Sequence, residues 1–279
     1  MKKIAIACSS GGYKTVFIQG VLASFETKGF FADAYAGCSS SAIVSSYAAI
    51  ERINNLGLSL WTDGLKISNI EGNSQSNAIL HSLDLLFPEI EKLLWQPTSH
   101  RLLIATSFVK TAEAAAITQS DNAKRFGQKL LIEALRNNST WRDENLELHI
   151  YDTSANINAK RLTTDNYKEV AYASTRMLHA WHIPAYINKK PYIDGSYTSL
   201  CPVAALLELG YEKVICILTE NNKQLDMFSN KEFENLKVDF IQPQINLKDI
   251  GVDFYSATEE SINNVFSLGF NTGIEYLNK

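Results

Sequence analysis

The first fifty residues alternate short apolar runs with segments of helical period, and that alternation limits the fold more than any other feature. KIAIAC is an apolar run of strand length. VFIQGVLASFETKG then places Ile18, Val21, Leu22 and Phe25 on one helical face, with Gly29 as a stop. ADAYAG repeats the strand pattern, and Ile43, Tyr47 and Ile50 in SSAIVSSYAAI repeat the helical one. Strand, helix, strand, helix at this pitch predicts an α/β three-layer sandwich with a mainly parallel central sheet.

Further along, NAILHSLDLLFPEIEKLLW carries Leu83, Leu86, Phe87, Ile90, Leu93 and Leu94 on a helical stripe interrupted by Pro88. AKRFGQKLLIEALRNN reads as an amphipathic helix, and LELHIYDTS and the region of KRLTT read as strands. Pro202 and Gly210 sit at the preferred start and stop of a helix in CPVAALLELG, which leads into the apolar strand YEKVICIL. Ser256 and Glu259 fit a capping box at the start of a last helix. No repeat or linker divides the 279 residues, which predicts one domain over 1–279.

Composition removes several function classes. The formal net charge is −4 with the charges well mixed, so no basic block marks a nucleic-acid surface. The four cysteines, Cys8, Cys38, Cys201 and Cys216, form no C-x-x-C pair, and structural zinc is not expected. They read as small buried residues in a reducing compartment. MKKIAIAC imitates a lipoprotein signal, but its apolar run falls short of the about 7–15 residues of a secretory h-region. No stretch approaches the ~20 apolar residues of a spanning helix. A cytoplasmic protein is expected, with peripheral membrane contact still open.

Three stretches carry candidate chemistry. In AYAGCSSSAIVSS, Gly37-Cys38-Ser39-Ser40-Ser41 lies where a strand turns into a helix. A G-x-S-x-G turn there lifts a serine hydroxyl off the sheet, and Ser41 stands at the second glycine position. The same serines also suit a plain helix cap. In CSSGGYKT, Gly11-Gly12 fits either a tight turn or an oxyanion loop. A phosphate loop fails, because Tyr13 precedes Lys14 and Cys8 occupies the first glycine position. The third stretch, KKPYIDGSYTSLCPV, holds Asp194-Gly195, a pair that by itself marks a turn.

Taken in order, these pieces resemble the patatin-like phospholipases, which pair G-G-x-[KR], G-x-S-x-G and a later D-G-[GA]. The likeness spans about residues 1–50 and 147–220. It includes GVLASFETKGF, AYASTRMLHAWHIPAYINKKPYIDGS and ALLELGYEKVICI. The resemblance implies a patatin-like fold with a helical insertion or lid at about 57–140. It also implies a catalytic Ser39–Asp194 dyad that cleaves esters of acyl lipids without metal or cofactor. Gly11, Gly12 and Tyr13 would supply oxyanion amides, with Lys14, Gly37, Ser40 and Gly195 in support. Two other readings share the fold: an inactive lipid-binding or regulatory relative, and an acyltransferase using the same serine. Thr15, Ser41 and Ser196 depart from the family pattern, the first able to tilt the loop and the second to press on the nucleophile. None of the five histidines (His81, His100, His149, His179, His182) follows Asp194, which disfavours a Ser-Asp-His order. A triad would need another acid, such as Asp152 with His179 or His182. The 78–94 stripe suits either core packing or an apolar lid.

Overall fold

The computed structural model describes residues 3–154, 160–221 and 238–279. The chain runs β1 (Ile4–Cys8), α1 (Val16–Thr27), β2 (Ala34–Cys38), α2 (Ser41–Ala49), α3 (Ser59–Ser68) and α4 (Gln75–Leu93). It continues through β3 (Arg101–Val109), α5 (Ala112–Thr118), α6 (Ala123–Leu135), α7 (Thr140–Asn145), β4 (Leu146–Asp152) and β5 (Lys160–Arg161). Then come α8 (Tyr167–Thr175), β6 (Ala185–Ile187), β7 (Lys190–Ile193), α9 (Val203–Glu208), β8 (Lys213–Ile217), β9 (Val238–Ile241) and α10 (Glu259–Leu277).

The strands form a mixed but mostly parallel sheet in the order β5-β4-β3-β2-β1-β8-β9, with the β6–β7 hairpin attached to β3. From β3 to β9 every neighbouring pair is parallel. Strand alternation gives each face its own core. Ile6, Cys8, Tyr35, Ile104 and Ile215 point to the face covered by α1, α2, α8 and α10. Ala5, Ala7, Ala34, Ala36 and Cys216 point to the opposite face, under Val203 and Leu206 of α9. This is the α/β layering expected from the opening residues.

Two local expectations are corrected. Helix α4 runs through Pro88 without interruption. Proline deletes one backbone donor, and both Pro88 and Asp84, whose carbonyl loses its bond, face water. The last helix is capped by Thr258 and Ser261 rather than Ser256 and Glu259, because Thr258 adopts the extended backbone a cap needs and accepts from the Ser261 amide at 3.1 Å. Of the two readings of the 78–94 stripe, core packing fits: Leu83, Ile90 and Leu94 are buried, and Leu86, Phe87 and Leu93 pack half-buried against them. All four cysteines are free and buried. Among the described residues no helix is long and apolar enough to cross a membrane.

Strand β3 is the scaffold on which two loops converge. Its first half pairs with β2, ending at Ala105 opposite Cys38. Its second half pairs with β7, where Ser107 lies opposite Ile193. Strand β4 pairs with β3 across both stretches, so β2 and β7 share the other edge. One strand is parallel to β3 and the other antiparallel, so their C-terminal ends meet head-on. The next residues in the chain after those ends are Ser39 and Asp194.

Candidate active site

Ser39 sits between β2 and α2 with φ of 59°, in the left-handed region. For an L-residue this costs roughly 1–2 kcal/mol, and such strain collects at functional turns. It persists because the surroundings fix it. The Ser39 amide donates to Ser174 Oγ at 2.9 Å, and Ser174 Oγ donates to the Ala105 carbonyl at 2.7 Å. Gly37 is obligatory, since a Cβ there would lie 2.6 Å from the Ser41 carbonyl oxygen.

The Ser39 hydroxyl donates to Asp194 Oδ2 at 2.7 Å, and both residues are buried. Asp194 Oδ1 accepts the Ser196 amide at 2.8 Å. The Asp194 backbone is held at both ends: its amide donates to the Arg176 carbonyl at 2.9 Å, and its carbonyl accepts Ser107 Oγ at 2.7 Å. Gly195 lets the acid loop lie on β3, where a Cβ would come within 2.3 Å of the Ala105 carbonyl oxygen. Burial pushes the Asp194 carboxyl up to about 6, against the opposing pull of its bonds from Ser196 and Ser39. A carboxylate raised this far is a stronger base than an ordinary aspartate.

Ser41 and Thr15 are built into the site as hydrogen-bonding groups. Ser41 Oγ sits between the Cys8 and Cys38 carbonyls at 2.9 and 2.7 Å and accepts the Cys38 amide at 2.9 Å. It therefore ties the ends of β1 and β2 together under the bend rather than pressing on the nucleophile. Ser40 Oγ donates to the Gly12 carbonyl at 3.0 Å, so Thr15 is the donor in its 2.7 Å contact with Ser40. The two hydroxyls couple the glycine loop to the elbow.

Gly11 and Gly12 lie beyond the end of β1, on the same rim as Ser39. This rim follows the carboxyl ends of parallel strands, where such sheets place their sites. Gly12 has φ of 55°, and its missing Cβ leaves room for the Phe254 carbonyl. The amides of Gly11, Gly12 and Ser40 donate to no acceptor among the described residues, and Gly12 and Ser40 line the cleft beside Ser39. Tyr13 differs from the expectation: its amide donates to the Phe254 carbonyl at 3.3 Å and is not free in this conformation. Lys14 is not solvated but buried. Its Nζ donates to Glu220 Oε1 at 2.6 Å and lies 4.6 Å from the centre of the Phe254 ring, so it pins the loop.

A partly open cleft runs from Ser39 between α3 and α4, bordered by Ile43, Trp61, Gly64, Ala78, Ile79 and Trp181. Trp61 is fixed by its Nε1 donating to Gln19 Oε1 at 2.6 Å. No histidine bonds to Ser39 or Asp194: His179 pairs with the Tyr255 hydroxyl, His149 with Tyr192 and Glu147, and His100 with Glu51. Asp152 is held by Arg101 Nε at 2.9 Å, which leaves a triad without its acid. Among the described residues no group of three or more acidic, histidine or cysteine side chains is placed to hold a metal.

Several positioning groups carry no signal of their own in the sequence. Ser107 lies in an unremarkable strand, and Ser174 and Arg176 would be found only through the alanine-serine segment before Asp194. Arg176 is wholly buried; Nε donates to the Ile183 carbonyl at 2.7 Å, and its two terminal nitrogens have no partner among the described residues.

No family model and no curated protein sequence matches the chain. Among solved structures, VipD from Legionella pneumophila is 12% identical with a TM-score of 0.48, covering 99% of this chain and 67% of that one. The type III effector protein ExoU is 12% identical with a TM-score of 0.39, covering 99% of this chain and 53% of that one.

Proposed function

We infer that the protein is a serine acyl hydrolase of the patatin-like phospholipase type, acting on carboxylic esters of lipids. The 2.7 Å contact between Ser39 Oγ and Asp194 Oδ2, made across 155 residues of sequence, carries the reading. Ser39 Oγ attacks the ester carbonyl carbon while Asp194 takes its proton. The oxyanion is met by the amides of Gly12 and Ser40, with Gly11 behind them; one such donor is worth about 3–4 kcal/mol in the transition state. Collapse breaks the ester bond, and the alcohol leaves with the proton held by Asp194. Water, deprotonated by the same carboxylate, then attacks the acyl-enzyme, and the acid departs from a restored Ser39 hydroxyl. The apolar cleft between α3 and α4 suits the acyl chain.

Fluorophosphonate labelling tests this. Wild type should label, Ser39→Ala should not, and Asp194→Asn should label at least a hundredfold more slowly. A folded wild type that resists labelling, or labelling that survives in Ser39→Ala, overturns the reading.

A further inference from the structure

Helix α6 carries an outer face that is both apolar and cationic. Its inner side, Ala123, Gly127 and Leu130, is buried, and Gly127 packs so tightly that a Cβ would lie 2.7 Å from the His179 amide nitrogen. Outward it presents Leu131 at 40% exposure, Ile132 at 50% and Leu135 at 86%. Lys124, Arg125, Lys129 and the capping Arg136 are exposed with them. The helix has one carboxylate, Glu133, which faces Lys129 at 3.6 Å. A protein of net charge −4 thus gathers four cations and three large apolar side chains on one exposed helix.

We propose that this face of α6 docks the protein on an anionic lipid bilayer. Apolar side chains beside cations are what a helix needs to lie in the headgroup region, with leucines toward the acyl boundary and cations at the anionic surface. A nucleic acid would use the charge but not the leucines, and a polar protein surface would leave Leu135 in water. Position supports the same occupant. Trp181 borders the Ser39 cleft and also a surface hollow lined by Lys124 and Ala123 at the start of α6. A bilayer under α6 would therefore lie beside the cleft mouth. The proposal deepens the lipid-ester reading and rests on it for the identity of the cleft's substrate, but its test needs no catalysis.

Flotation with vesicles of phosphatidylcholine alone and of phosphatidylcholine with 30% phosphatidylglycerol gives that test. Wild type should float with the anionic vesicles, at least tenfold more weakly with the neutral ones, and less as salt is raised. Leu131→Ser/Ile132→Ser/Leu135→Ser and Lys124→Glu/Lys129→Glu should each weaken flotation at least tenfold; these side chains are exposed, and circular dichroism checks that the fold persists. Wild type that stays with the buffer, variants that float as well as wild type, or an α6-dependent self-association without vesicle binding would each overturn the proposal. Fluorophosphonate labelling of the same samples reports on Ser39 separately, so the two readings can fail independently.

Discussion

Asp194 is asked to do two things that conflict. In the proposed mechanism it must be ionised to act as a base, yet burial favours its neutral form and raises it to about 6. The conflict is measurable in two ways. Hydrolysis should fall as pH drops through about 6, because the protonated acid can no longer accept from Ser39; a kcat/KM profile on a soluble nitrophenyl ester reads this directly. Stability moves the other way. The folded acid keeps its proton up to about pH 6, whereas the unfolded one loses it near 4. The stabilisation from this difference is fully present below about pH 4 and is lost as pH climbs through 6, leaving an ionisation cost of about 3 kcal/mol at pH 8. Asp194→Asn should lack that loss. Urea titrations at pH 4.5 and 7.5 should show wild type losing stability relative to the variant at the higher pH.

Helices α3 and α4 form walls of the cleft, and each contributes a small residue to it, Gly64 and Ala78. Gly64 lies in mid-helix, where glycine costs about 1 kcal/mol against alanine, and its φ is not positive. What its bare Cα provides is space: a Cβ would meet the Tyr13 hydroxyl at 3.4 Å and the Ala78 Cβ at 4.0 Å. Gly64→Val should therefore lower kcat/KM for dodecanoyl relative to butyryl esters by at least tenfold, measured as the ratio across a chain-length series. Much of this level was legible in the sequence, because α1, α6, β1, β2 and β4 announce themselves by period and by their stops. Strand β3 did not. RLLIATSFV is apolar on both faces, so it shows neither alternation nor helical spacing, and only its neighbours make it a strand. Pro88 misled for the opposite reason, a local rule being overridden where the lost bond faces solvent.

At the scale of the whole molecule, the dyad is a product of sheet register. The likeness of motifs singled out Ser39 and Asp194, but nothing in their spacing says that they touch; that depends on β2 and β7 sharing one edge of β3. The same dependence hid Ser107 and Ser174, which matter only because β3 runs beneath both loops. It also hid the Tyr13 amide's partner, since Phe254 arrives from a distant segment just ahead of α10. A site assembled this way should vanish with the fold as a unit. In a urea series, the rate of fluorophosphonate labelling and tryptophan fluorescence should fall along the same curve; labelling lost well before the fluorescence change would show a site that frays by itself.

The head-on meeting of β2 and β7 has a consequence for the chain during its synthesis. When residue 39 leaves the ribosome its hydroxyl is an ordinary alcohol, and it remains one until Asp194 has been made, 155 positions later, and laid against β3. The Ser39–Asp194 pair therefore cannot exist in a nascent or partly folded chain, and forms only once the sheet has closed on both edges of β3.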